Sequence, residues 1–99
     1  MTDVVLECGY HSIAIYGAGK HGELLINDLD TDRVQILYVI DKSRTESFHG
    51  INVIKPGARM EGIDAIIVTP LVEMEELRRD LVTQADLVSL YDLIGDKNG

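Results

Sequence analysis

Ile13-Ala14-Ile15-Tyr16-Gly17-Ala18-Gly19-Lys20-His21-Gly22 is the stretch whose reading decides the fold. Ser12 to Tyr16 is short, apolar and rich in β-formers, as a strand buried on both faces should be. The glycines then break it as G-x-G-x-x-G. Lys20 to Leu29 follows with Gly22, Leu25, Ile26 and Leu29 at helical spacing on one face. A glycine motif of this form is weak alone and gains meaning between a strand and a helix. Gly17 permits the tight turn out of the strand, Gly19 lets a pyrophosphate approach the backbone, and Gly22 lets helix and strand pack closely. The helix that begins here turns its free N–H groups and positive dipole end toward that phosphate.

Working outward, Val34 to Ile40 reads as a second apolar strand ending at Asp41, and Lys42 to Gly50 as a polar loop without a clear period. Ile51 to Ile54 reads as a short strand stopped by Lys55-Pro56-Gly57. Asp64 to Thr69 is another buried strand closed by Pro70. Met74, Leu77 and Leu81 mark a second helix, Asp86 to Leu90 a last strand, and Asp92-Leu93-Ile94 leads into a frayed tail. Alternation of strand and helix predicts an α/β fold: a three-layer domain with a mostly parallel sheet of about five strands in the order 3-2-1-4-5, Ser12–Tyr16 central. The domain spans residues 12–94. Residues 1–11 form an extension with one short helix near Val4-Val5-Leu6-Glu7 that ends at Gly9, and 95–99 a polar tail.

Asp41 is the second signal for a ligand. It ends the second strand roughly 20 residues after the glycine loop, where an acid accepts hydrogen bonds from a ribose diol and disfavours a 2′-phosphate. That points to NAD before NADP, although Lys42 and Arg44 stand close behind. Lys20 and His21 fall at the first helical positions. His21 reads either as a contact to a phosphate or sugar carboxylate or as an exposed helix-start residue. Thr69 and Pro70 read equally as lining of the ligand crevice at the carboxyl edge of the sheet or as a helix cap with proline in first position. The candidate binding set is therefore Gly17, Ala18, Gly19, Lys20, His21, Gly22, Asp41, Lys42, Thr69 and Pro70. No nucleophile–base pair or acid–base dyad is spaced for catalysis. His11 and His49 have no partners at metal-ligand spacing.

Composition narrows the rest. The 99 residues, 45% hydrophobic with no Trp and one Phe, call for one domain with an aliphatic core. A net charge of −8 offers no basic patch for nucleic acid or an anionic membrane, so a phosphate must be held locally. The lone Cys8 excludes an intrachain disulfide and a cysteine-rich zinc site. No signal-peptide pattern and no apolar run near the ~20 residues of a membrane span is visible, which predicts a cytoplasmic protein without membrane insertion.

Over residues 12–94 the chain resembles Rossmann-like domains of bacterial surface-carbohydrate biosynthesis. The likeness is carried by Ile13 to Gly19, Tyr38-Val39-Ile40-Asp41, Gly50 to Ile54 and Asp64 to Val68. One relative is the N-terminal nucleotide-binding domain of membrane-associated nucleotide-sugar dehydratases and epimerases. The other is the N-terminal domain of sugar acyltransferases of the sialic-acid and bacillosamine type, whose glycine loop, with a histidine matching His21, holds a UDP-sugar. Hexapeptide repeats, a Tyr-x-x-x-Lys pair and a substrate domain are missing here. The resemblance thus implies a nucleotide-binding module for NAD, NADP or a UDP-sugar, without catalysis of its own. Its expected partners are further copies or a larger carbohydrate-biosynthesis enzyme. A small oligomeric oxidoreductase or sugar-transferase component, and an interaction domain with a vestigial glycine loop, are the alternatives.

Overall fold

In the computed structural model, which describes residues 1–95, the elements follow the order α1 (Thr2–Glu7), β1 (Ser12–Tyr16), α2 (Lys20–Asp28), β2 (Gln35–Ile40), β3 (Val53–Ile54), β4 (Ala65–Val68), α3 (Met74–Asp80), β5 (Asp86–Ser89) and α4 (Leu90–Gly95). Among the described residues the strands form one parallel sheet ordered β3-β2-β1-β4-β5. β1 is therefore central, as its unbroken apolar run requires, and its register sets Ile13 beside Ala65 and Ile15 beside Ile67.

Side chains alternate across a strand, so one apolar run supplies two cores. Ile13 and Ile15 join Val5, Leu25, Leu29, Val39, Ile67 and Leu93 on the face covered by α1, α2 and α4. Ala14 and Tyr16 join Ile40, Ile66, Val68, Leu77 and Leu81 under α3. The β1–β2 register shifts between Ile13 and Ala14, pairing Ile13 with Ile36 but Ala14 with Tyr38. The extra residue puts Ile36 and Val39 on the α2 side and Tyr38 and Ile40 on the α3 side.

The elements depart from the sequence reading in two main places. β3 is only Val53–Ile54, because Ile51 instead exchanges backbone hydrogen bonds with Phe48 at 2.9 and 3.0 Å. His49 and Gly50, at φ 52° and 78°, make the two-residue turn between them, so the end of the polar loop is a tight hairpin. At the carboxyl end, Leu90, read as the end of the last strand, and Asp92-Leu93-Ile94, read as leading into the tail, belong to α4: Leu90 and Leu93 are buried, and hydrophobic burial rather than local propensity holds this short helix. Residues 96–99 of the sequence-predicted tail lie outside the described residues. At the other end the expected short helix is present as α1, and it buries Val4 and Val5 in the same core as β1.

Candidate functional site

The carboxyl ends of β1, β2 and β4 meet at a cleft of about 360 Å³. Every sequence-predicted position except Gly22 lines it, together with Tyr16 and Ser43. Gly22 lies beneath the loop, where its missing side chain matters for packing and not for contact.

The loop is built from the inside out. Gly17 leaves β1 at φ 108° and its N–H donates to the Ile40 carbonyl at 2.9 Å. A Cβ there would stand 2.6 Å from Thr69 Oγ1, so the turn accepts only glycine on two counts. Thr69 is 2% exposed, and its hydroxyl donates to the Tyr16 carbonyl at 2.8 Å. That bond satisfies the buried hydroxyl and fixes the β4 exit against the glycine loop. Thr69 is thus a brace under the cleft. The helix-cap reading of Thr69-Pro70 is corrected, because α3 starts at Met74 behind Glu73 and Pro70 precedes it in an irregular segment.

Gly19 differs from its neighbours. It is the N-cap of α2 at φ −117°, a backbone any residue adopts, and a Cβ there would meet nothing within 4 Å. Internal packing therefore explains Gly17 and Gly22 and leaves Gly19 unexplained. No side chain caps α2, so its first N–H groups open toward the cleft.

Asp41 does something its spacing did not reveal. Its Oδ1 accepts the Ala18 N–H at 3.1 Å, and its Oδ2 accepts those of Ser43 and Arg44 at 3.0 and 2.8 Å. One carboxylate ties the glycine loop to the loop after β2. Partial burial pushes its pKa up, but the amides of Arg44, Ala18 and Ser43 and the Arg44 charge outweigh this, leaving it below the usual aspartate value. Lys42 stands beside it, its carbonyl accepting Lys55 Nζ at 2.8 Å.

The cations near the loop are unequally free. Lys20 Nζ pairs with Glu23 Oε1 at 3.3 Å, and Glu23 Oε2 also meets His49 Nε2 at 3.0 Å. The Lys20–Glu23 contact is the i,i+3 pair a helix allows. His49 arrives from 26 residues away with no local signal, so the pair was missed in the sequence, where His49 had no partner. His21 is exposed, edge-on to Tyr91 of α4 with ring centroids 6.2 Å apart. It lines the cleft, and the neighbouring apolar groove between α2 and α4 as well.

Among the described residues no group of three or more His, Cys, Asp or Glu is arranged to hold a metal ion, and no helix is long and apolar enough to cross a membrane. No curated protein and no solved structure matches the chain. Residues 9–87, from the turn before β1 into β5, match the family model described as C2185-like, N-terminal. The match takes in the whole glycine loop, Asp41 and Thr69, and on this evidence the chain belongs to the C2185-like, N-terminal family.

Proposed function

We propose that this domain is a nucleotide-binding module which seats the diphosphate of a dinucleotide or nucleotide-sugar on the amino end of α2. The single observation that carries the reading is Gly19: its backbone is ordinary, nothing in the fold would touch a Cβ there, and the open space faces uncapped helix N–H groups. A glycine kept clear from outside, at a helix amino end, suits a phosphate that must approach the backbone. The cleft volume of about 360 Å³ is ample for a diphosphate with its flanking riboses.

The ligands in view are NAD, NADP and a UDP-sugar. The resemblance to carbohydrate-biosynthesis domains makes nucleotide-sugar metabolism the proposed setting. A family described as N-terminal fits a module that serves a larger enzyme.

A thermal-shift screen with NAD, NADP, UDP, a UDP-sugar and CoA tests this. A native-state ligand at a hundred times its Kd adds about 2.7 kcal/mol. One of these should raise the Tm of the wild type and leave that of Gly19→Val unmoved. Equal shifts in both proteins would displace the phosphates from the loop. No shift with any ligand would remove the nucleotide reading.

A further inference from the structure

An apolar groove of about 350 Å³ runs between α2 and α4, with Leu24, Leu25, Asp28, Leu90 and Ile94 among its lining residues. Of the six large hydrophobic side chains left exposed among the described residues, three belong to these two helices: Leu24, Tyr91 and Ile94. Single exposed apolar side chains are ordinary, but a gathering of them on one face marks a surface that meets a partner.

The pattern along α2 says which partner. Lys20, Leu24 and Asp28 follow one another at four-residue spacing, so they form one stripe down the helix. All three are exposed. The stripe has a cation at its amino end, an apolar residue midway and an acid at its carboxyl end. Turned end over end about Leu24, it presents Asp28 where Lys20 stood and Lys20 where Asp28 stood. A two-fold axis at Leu24 therefore sets Leu24 on Leu24 and closes a Lys20–Asp28 pair at each end, the self-complementarity that an isologous interface needs. Within the chain, Lys20 pairs with Glu23 at 3.3 Å and Asp28 with the amino terminus at 3.2 Å. The Lys20 and Asp28 side chains remain 77% and 60% exposed, so solvent screens both pairs and leaves these charges open to a second copy.

We propose that the α2–α4 face binds a second copy of this chain, with α2 antiparallel to its counterpart across a two-fold axis at Leu24. Ile94, which shares the groove with Leu24, and Tyr91, edge-on to His21, extend the apolar contact beyond the stripe. Charge singles out the occupant. At a net charge of −8, two copies repel over most of their surface. The stripe instead balances one cation against one acid and meets itself with opposite signs. This contact stands whether or not a nucleotide binds.

Sedimentation velocity over a concentration series tests this. Wild type should be largely dimeric by ~0.1 mM, a weak but specific affinity. Leu24→Glu, which sets two carboxylates on the axis, should stay monomeric there with an unchanged circular-dichroism spectrum. Two charge variants read the register. Asp28→Lys sets lysine against lysine and Lys20→Glu sets acid against acid. Each alone should associate roughly tenfold more weakly than wild type in ~10 mM salt, where charges are little screened. Mixed in equal amounts, the two variants should pair with each other as tightly as wild type does with itself, since every contact again joins opposite charges. Asp28→Lys also separates the stripe from bulk charge. It reduces the net negative charge, so general repulsion alone predicts tighter association for it, and the stripe predicts weaker. A wild type that stays monomeric at that concentration, or a dimer that survives Leu24→Glu, overturns the proposal. So does an Asp28→Lys variant that associates more tightly than wild type. Should Leu24→Glu lose its fold, the mixing experiment decides: a mixture no tighter than either variant alone overturns the antiparallel contact.

Discussion

A Cβ on Gly22 would fall inside the van der Waals envelope of the Gly17 carbonyl oxygen, so the first turn of α2 rests directly on the loop that precedes it. The obstacle is backbone, which cannot rotate aside as a side chain would. Gly22→Ala should therefore destabilise the domain by about 1–3 kcal/mol through overpacking, measured by urea denaturation. Gly19→Ala, with open space around the new methyl group, should stay within about 0.5 kcal/mol of wild type. Equal losses for the two variants would contradict the packing described here.

Asp41→Ala removes the acceptor shared by Ala18, Ser43 and Arg44. Hydrogen bonds to a charged group contribute about 1.5–3 kcal/mol when well shielded. At this partly exposed position a loss of about 1–2 kcal/mol is expected at pH 7. The folded pKa lies below the unfolded one, so the stabilisation is present above the unfolded value near 4 and disappears as pH falls through the folded value. Wild type and variant should thus converge in stability as pH falls below about 4. Because Asp41 shapes the loop, affinity for inorganic pyrophosphate should fall along with that for nucleotides. A loss confined to nucleotides would assign Asp41 to the ribose.

The sheet and its order were legible because β1, β2 and β4 are apolar on both faces, and only a central parallel arrangement buries such runs. Gly17 to Gly22 was legible as a loop because strand and helix periods meet there. Sequence could not show where Asp41 aims its oxygens, since acid-to-ribose and acid-to-backbone contacts need the same residue at the same spacing. Nor could it show the His49–Glu23 pair, which depends on a hairpin turn at His49-Gly50 inside a segment lacking any period. α4 was missed for a related reason. A six-residue helix has little local signal, and the burial of Leu90 and Leu93 that stabilises it is a tertiary effect.

Tyr10 ties the turn before β1 to the far edge of the sheet, its hydroxyl donating to Asp86 Oδ2 at 2.8 Å. Partial burial, reinforced by the hydrogen bond to Asp86 and its charge, pushes the phenol up to about 12. A pKa raised on folding stabilises fully below the unfolded value near 10 and ceases to as pH rises through the folded one. Wild type should exceed Tyr10→Phe in Tm at pH 8, and the gap should close between pH 10 and 12. A gap that stays constant across that range would show that the phenolic proton is not what the contact uses.

Glu23 stands in the first turn of α2, holding Lys20 with one oxygen and His49 with the other. Its hydrogen bonds to Lys20 and then His49 keep its pKa below the usual glutamate value, so it is anionic at neutral pH. A negative charge there complements the helix dipole in the empty domain. It also opposes a phosphate approaching the same helix end, and it directs Lys20 away from that phosphate. Glu23→Gln removes the opposing charge and releases the ammonium group. Affinity for a confirmed diphosphate ligand should rise severalfold in ~10 mM salt, where the screening length is about 30 Å, and by less in 1 M salt, where it is about 3 Å. Asp80→Asn changes the net charge equally from the end of α3 and should leave affinity unchanged. If Glu23→Gln binds no tighter than Asp80→Asn at low salt, the ligand's charge does not lie over the amino end of α2, and the phosphates must be sought elsewhere along the cleft.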